Sequence, residues 1–101
     1  MLREIWTEDA LSDVEDILDY LSTKWNQKII DRFYLDLLAS LSQIKEHPHS
    51  FQFFDKEKGI RTCLPNPHFR LFYKVIGNDL FVLRAYPSRK DPEQLYFHDL
   101  K

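Results

Sequence analysis

A single cysteine, Cys63, stands among 101 residues. No internal disulfide can form, and nothing calls for an oxidising compartment. Long apolar runs are missing too. No stretch approaches the ~20 consecutive apolar residues a helix needs to cross a bilayer, so no membrane association is expected. The opening "MLREIWTEDA" has no apolar core region, and nothing there reads as a secretory signal. Strong charge of either sign is also lacking: 14 Lys and Arg against 16 Asp and Glu leave −2. A protein that holds nucleic acid mainly through phosphate contacts carries more cations than this, so direct sequence-specific DNA binding by this chain alone is not expected. Repeats and low-complexity segments are absent. What remains is a soluble globular composition, 44% hydrophobic and 30% charged. It suffices for one core and not for two. The expectation is one domain over residues 1–101, in the cytoplasm.

Aromatic side chains are abundant, with eight Phe, five Tyr and two Trp. Charge is divided unevenly along the chain. Residues 1–50 hold five Lys and Arg against ten Asp and Glu, a balance of −5, and residues 51–101 hold nine against six, a balance of +3. An acidic half followed by a mildly basic one points weakly to an anionic ligand on the second.

"LREIW" reads as a short strand. Thr7 before Glu8 and Asp9 is a helix start, a hydroxyl cap followed by first-turn carboxylates. Ala10, Val14, Ile17, Leu18 and Leu21 recur at helical spacing, predicting a helix over 8–23. Asn26 caps a second, whose stripe runs Ile29, Ile30, Phe33, Tyr34, Leu37, Leu38, Leu41, Ile44 and halts before Pro48. So short a connection predicts an antiparallel helical hairpin. After residue 50 the period becomes 2. "FQFF" and "GIRTCL" are candidate strands, and "PNPH" is a loop. "FRLFYKVI" and "DLFVLRAY" flank Gly77-Asn78 as a two-residue hairpin. That register pairs Lys74 with Phe81, Phe72 with Leu83, Leu71 with Arg84, and Arg70 with Ala85. The tail "EQLYFHDLK" reads as a short helix or an irregular arm. The fold class is α+β, in the order β-α-α-β-β-β, with a helical hairpin packed on a curved antiparallel sheet.

The candidate functional residues gather where the last strand meets a basic turn, "FVLRAYPSRKDP". Arg84 is either a presented cation or a strand-end arginine paired with a carboxylate of the acidic helices. Arg89 and Lys90 are either target-binding cations or a solvated turn. Arg70 serves either an anion or a cross-strand or loop pairing, and Tyr96, with Phe97 and His98, either catalysis or tail packing. His47, His49, His68 and Cys63 lack the paired spacing of a zinc site, so no metal and no cofactor are expected. Cys63 reads as a small core residue. Asp13, Glu15, Asp16 and Asp19 read as a solvated helix face.

Taken together, the order and spacing of these pieces resemble the RelE/ParE superfamily of toxins from type II toxin–antitoxin systems. The resemblance rests on Trp6 and Ala10 before "DVEDILDYL", the long second helix ending at "HP", "GIR" leading to "HFRLFYKV", and "LRAYPSRKDP". Its ending is most similar to the ParE-like, plasmid-stabilisation branch. The resemblance implies a growth-arresting toxin that binds DNA gyrase, with Arg84, Arg89 and Lys90 as target contacts. It also implies a cognate antitoxin, docked as an amphipathic helix and an extended piece on an exposed apolar groove. The alternative branch is a ribosome-dependent mRNA endonuclease. There the resemblance implies catalysis by Arg61, Arg70, Arg89 or Lys90, and Tyr96, although Cys63 stands where a further cation would be expected. A further alternative is an inactive member that binds only its antitoxin and regulates their operon.

Overall fold

In the computed structural model, residues 2–24, 26–88, 90–91 and 95–97 are described. Strand β1 (Arg3–Trp6) leads into helices α1 (Glu8–Lys24) and α2 (Gln27–Glu46). Strands β2 (Phe53–Asp55), β3 (Ile60–Asn66), β4 (Phe69–Ile76) and β5 (Asp79–Pro87) follow. One sheet holds them in the order β1-β5-β4-β3-β2. The expected α+β arrangement is observed, with three refinements. Four strands rather than three follow the helices, giving β-α-α-β-β-β-β. The sheet is mixed, because β1 joins the edge parallel to β5 while the other neighbours are antiparallel. And β3 runs on through Pro65 to Asn66, into what "PNPH" predicted as loop. Among the described residues no helix is long and apolar enough to cross a membrane.

The caps fall where the sequence put them. The Thr7 hydroxyl accepts the Ala10 amide at 3.0 Å and itself donates to the Leu83 carbonyl at 2.9 Å, so one side chain starts α1 and ties it to β5. Asn26 Oδ1 accepts the Ile29 amide at 3.3 Å. The His47 amide still reaches the Gln43 carbonyl at 2.8 Å before Pro48 ends the helix. In the β4–β5 hairpin Ile76 faces Asp79, and Gly77 takes φ +59° while no non-glycine residue among those described has positive φ. That sign pattern fits a II′ turn and needs a residue without a Cβ penalty there.

Two apolar layers stabilise the sheet. The helix side is the larger: Ala10, Ile17 and Leu21 of α1 and Phe33, Leu37, Leu41 and Ile44 of α2 cluster with Cys63, Phe69, Leu71, Tyr73, Leu80, Val82 and Ala85. Phe72 lies between Leu71 and Tyr73 and therefore points the other way. It joins Ile60 and Leu83 in a second cluster, covered by Leu95 and Phe97 of the tail. Residues 95–97 belong to no helix or strand, so the tail, where described, is the irregular arm rather than the short helix.

The hairpin register predicted from the turn holds only near it. Lys74 faces Phe81, but Phe72 faces Arg84, Leu71 faces Ala85 and Arg70 faces Tyr86. The predicted pairs Phe72–Leu83, Leu71–Arg84 and Arg70–Ala85 are thus corrected by one residue, because a β-bulge at Leu83 places one extra residue in β5. The bulge changes which residues face where. Before it, Leu80 and Val82 point at the helices; beyond it, Ala85 does. An unbulged strand would have driven Arg84 into the apolar core opposite Leu71.

The bulge also reverses which backbone groups face the open edge of β5. β1 pairs only as far as Val82, leaving five more residues of β5 without a strand neighbour on that edge. α1 and its N-cap residue supply the partners instead. Thr7 serves Val82 and Leu83, and Asp13 Oδ2 accepts the Ala85 amide at 3.0 Å. Two residues on, the same edge carries Pro87, which has no N–H to satisfy.

Asp13 has a second duty. Arg84 Nε donates to its Oδ2 at 2.6 Å and Nη2 to its Oδ1 at 2.8 Å, a bidentate pair whose side chains are 18% and 11% exposed. Removing one member strands the other and an edge amide. Asp13→Ala should therefore cost roughly 3–4 kcal/mol, the lower part of the range for breaking a largely buried ion pair. Asp16→Ala on the exposed face should stay within about 0.5 kcal/mol. Urea denaturation measures both, and equal losses would dismiss the clasp.

Candidate functional site

At the far end of β5 the chain turns through Ser88 and Lys90. The turn is anchored by the Ser88 amide to the His68 carbonyl at 3.1 Å, by the Lys90 amide to the Pro87 carbonyl at 3.1 Å, and by a hydrogen bond from the Ser88 hydroxyl to the Pro67 carbonyl. The ring of Tyr86 sits at its centre. Arg84 Cζ lies 5.7 Å from the ring centroid and Lys90 Nζ 5.8 Å, both within cation–π reach. Arg70 is its cross-strand neighbour. Between this end of the sheet and α1 runs a cleft of about 450 Å³, with Asp16 and Tyr20 on the helix wall and His68, Tyr86, Ser88 and Lys90 opposite. Its walls carry opposite charge, and at the base Asp13 and Arg84 join them.

The predicted residues divide into three groups. Arg70, Arg84 and Lys90 converge around Tyr86 as the basic end of the sheet. Arg84, however, is placed as its structural alternative has it. Two of its nitrogens are taken by Asp13, and Nη1 donates to the Tyr96 carbonyl at 2.9 Å. The Asp13 hydrogen bonds hold its guanidinium above its ordinary pKa, so it stays charged at any working pH. Lys90 is exposed and Arg70 half-buried. Arg70 Nη1 lies 3.5 Å from the Thr62 hydroxyl, at the outer limit of a hydrogen bond.

Arg61 is not part of that group. It faces Tyr73 in the β3–β4 ladder and so lies on the helix-side parity, whereas Arg70, next to Leu71, has the opposite one. Its Nη1 donates to the Phe51 carbonyl at 2.6 Å and the His49 carbonyl at 3.2 Å, with the guanidinium 3.9 Å over the Phe53 ring. Arg61 thus braces the loop between α2 and β2. Tyr96 exposes 67% of its surface on the arm over the second face, and its main chain rather than its ring meets Arg84. Arg89, and His98 beside Phe97, lie outside the described residues.

Cys63 is the small core residue expected, buried against the helices. Burial pushes its thiol up to about 11, the Arg70 charge only partly offsetting it, so it is neutral near pH 7. Burial likewise raises the Tyr73 phenol to about 12, and its hydroxyl donates to the Pro48 carbonyl at 3.1 Å. Among the described residues, no group of three or more His, Cys, Asp or Glu side chains is arranged to hold a metal ion.

Asp13 corrects the reading of the acidic helix. It is not part of a solvated face but the organising carboxylate of the site. A signal was available: Asp13 lies three residues after buried Ala10 and four before buried Ile17, within the apolar stripe. A carboxylate on a buried stripe requires a cation, and Arg84 is the cation that interrupts an apolar strand. Tyr86 was missed because its role comes only from the bulge, which sets it beside Arg70 and between Arg84 and Lys90.

The exposed large apolar residues include a run on α2, Tyr34, Leu35 and Leu38, at 45%, 57% and 61% exposure. Neighbours at three- and four-residue spacing share a helix face, so these form a patch of the sort expected for a docked partner.

A family model describing the ParE toxin of the type II toxin–antitoxin system parDE matches residues 5–92. Among solved structures, the chain is similar to a protein of the chromosomal ParDE toxin–antitoxin system of P. aeruginosa. The identity is 19%, with a TM-score of 0.71, covering 86% of this chain and 96% of that one. It is also similar to a copper-bound mutant toxin from Helicobacter pylori, at 22% identity and a TM-score of 0.55, covering 87% and 96%. No curated protein sequence matches.

The neutral thiol gives a direct test. In the folded chain Cys63 should resist iodoacetamide at pH 8 and react at least tenfold faster in urea. Because its folded pKa is raised, the stability it contributes is intact below about pH 9 and falls as pH rises toward about 11. A Cys63→Ala variant should lose that segment of the pH–stability curve; an unchanged curve would reassign the alkaline loss to Tyr73.

Proposed function

The chain belongs to the ParE toxin family of type II toxin–antitoxin systems, and we propose that it acts in the cytoplasm by binding DNA gyrase and is silenced by a cognate antitoxin. The observation that carries this reading is the family match over nearly the whole chain, residues 5–92. The site supports binding rather than hydrolysis. An RNA-cleaving centre needs a base, an acid and cations converging on one phosphate. Here Arg61 is committed to two carbonyls on the other parity of the sheet, Arg84 is neutralised by Asp13, and the thiol of Cys63 is held protonated. Arg70 and Lys90 remain beside the Tyr86 ring, flanked by a cleft with walls of opposite charge. That is a surface able to recognise a protein by shape and paired polar groups.

The same reading gives the antitoxin a place. The α2 patch of Tyr34, Leu35 and Leu38 suits the apolar face of an amphipathic helix, anchored at three- and four-residue intervals.

Expressed without antitoxin, the chain should arrest growth with induction of the DNA-damage response, and the purified chain should inhibit supercoiling by gyrase. Lys90→Glu should weaken that inhibition by about tenfold with little change in melting temperature, since an exposed charge contributes little to stability. Unimpaired growth would favour a member that only binds antitoxin, and rapid cleavage of ribosome-bound mRNA would favour the nuclease. Separately, Leu38→Glu should reduce affinity for the antitoxin at least tenfold in calorimetry while leaving gyrase inhibition intact. Unchanged affinity would remove α2 from that interface.

A further inference from the structure

The face of the sheet turned away from the helices offers a second apolar surface, made by Ile60, Phe72 and Leu83. Phe72 is fully out of solvent, shielded by Phe54 of β2 and by residues of the tail, which lies outside the sheet. Phe97 lies 5.5 Å from the Phe72 ring and 6.0 Å from Phe54, and Phe54 is 4.8 Å from Phe72. Leu95 packs on the same cluster. Tyr96, between them, turns its ring outward and presents its carbonyl to Arg84.

Side chains in at i and i+2, out at i+1, with the intervening carbonyl held by a fixed donor, is how an extended peptide is read by a receptor surface. The arm is nonetheless not a strand of the sheet. It occupies the face as a ligand would, by two side chains and a hydrogen bond. The donor does not depend on it either: Arg84 is oriented by its bidentate pair with Asp13, so the carbonyl receptor persists if the arm leaves. Phe54, 37% exposed at the rim, extends the apolar surface beyond what the arm covers.

We propose that this face is a recognition groove for an extended peptide segment bearing bulky apolar side chains two residues apart, that residues 95–97 fill it in cis, and that a partner's segment of the same pattern takes the groove by displacing them. The occupant is defined by the arm: a Leu-x-Phe-like pair whose intervening carbonyl meets Arg84. The inference stands apart from the gyrase reading, because it is scored by peptide binding alone.

The test uses the full-length chain and a fluorescent peptide with the sequence EQLYFHDLK, that of residues 93–101. In the L95A/F97A chain the cis competitor is weakened, and the peptide should bind at least tenfold more tightly than to the unaltered chain by anisotropy. A peptide with alanine at both apolar positions should bind neither. Absence of binding to the variant, equal binding to both chains, or indifference to the alanines would overturn the proposal. If the double variant does not fold, the unaltered chain decides. Millimolar peptide should shift the backbone resonances of Leu95, Phe97, Phe72 and Leu83 and leave those of α2 in place; unshifted resonances overturn it. A dimer dissolved by free peptide would place the arm on a second copy and overturn the cis arrangement.

Discussion

The carboxylate of Asp13 is the point on which the rest of this structure depends. It meets three donors: two nitrogens of Arg84 and the amide of Ala85. A sheet edge exposes backbone groups that must be paired, covered or made harmless. β1 is too short to pair the length of β5, and a side chain of α1 completes the edge in its place. The same contact fixes the angle between the first helix and the sheet and neutralises the only cation that interrupts the apolar run of β5. It also leaves Arg84 one nitrogen with which to hold the tail. Edge protection, helix docking and tail docking are therefore one electrostatic event.

That event is possible only because of the Leu83 bulge. A regular hairpin from Gly77-Asn78 would place Arg84 opposite Leu71 and bury a guanidinium among aliphatic side chains. It would also turn the missing N–H of Pro87 toward β4, where a ladder bond is wanted. Desolvating an arginine without a partner is costly, and so is an unmade ladder bond. The bulge removes both costs with one extra residue. It also makes Tyr86 the cross-strand neighbour of Arg70 and sets it between Arg84 and Lys90, so the basic end of the sheet is a product of the bulge as much as of the basic residues.

This explains what could be read from the sequence and what could not. Helix limits were legible because Thr7, Asn26 and Pro48 act through local backbone chemistry, and because Ala10, Ile17, Leu21 and Phe33, Leu37, Leu41, Ile44 repeat with helical period. The hairpin was legible from Gly77. The β4–β5 register beyond Tyr73 was not, since a bulge has no local signature when its residues are ordinary strand formers such as Leu83. The parallel pairing of β1 with β5 joins segments about 76 residues apart, and no periodicity carries that. At the site, the cations were legible as a cluster but their employment was not. Whether an arginine is presented or spent depends on the acid across from it, and Asp13 was disguised by its acidic neighbours Glu15, Asp16 and Asp19.

The division of charge acquires meaning once the two halves are folded together. The helical half carries −5 and the strand half +3, and they meet at Asp13–Arg84, where one unit of each sign cancels internally. What is left outward at the basic end, among the described residues, is Lys90 and, half-buried, Arg70, set beside an aromatic ring and facing an acidic helix wall across the cleft. Two cations near an opposing wall make a weak far field, because neighbouring opposite charges cancel beyond a Debye length of about 8 Å. Such a surface gains little from long-range steering. Its selectivity must come from contact, through ring faces, apolar patches on α2 and the sheet, and a few hydrogen bonds of fixed direction. A protein target rather than a bare polyanion is what that physics favours.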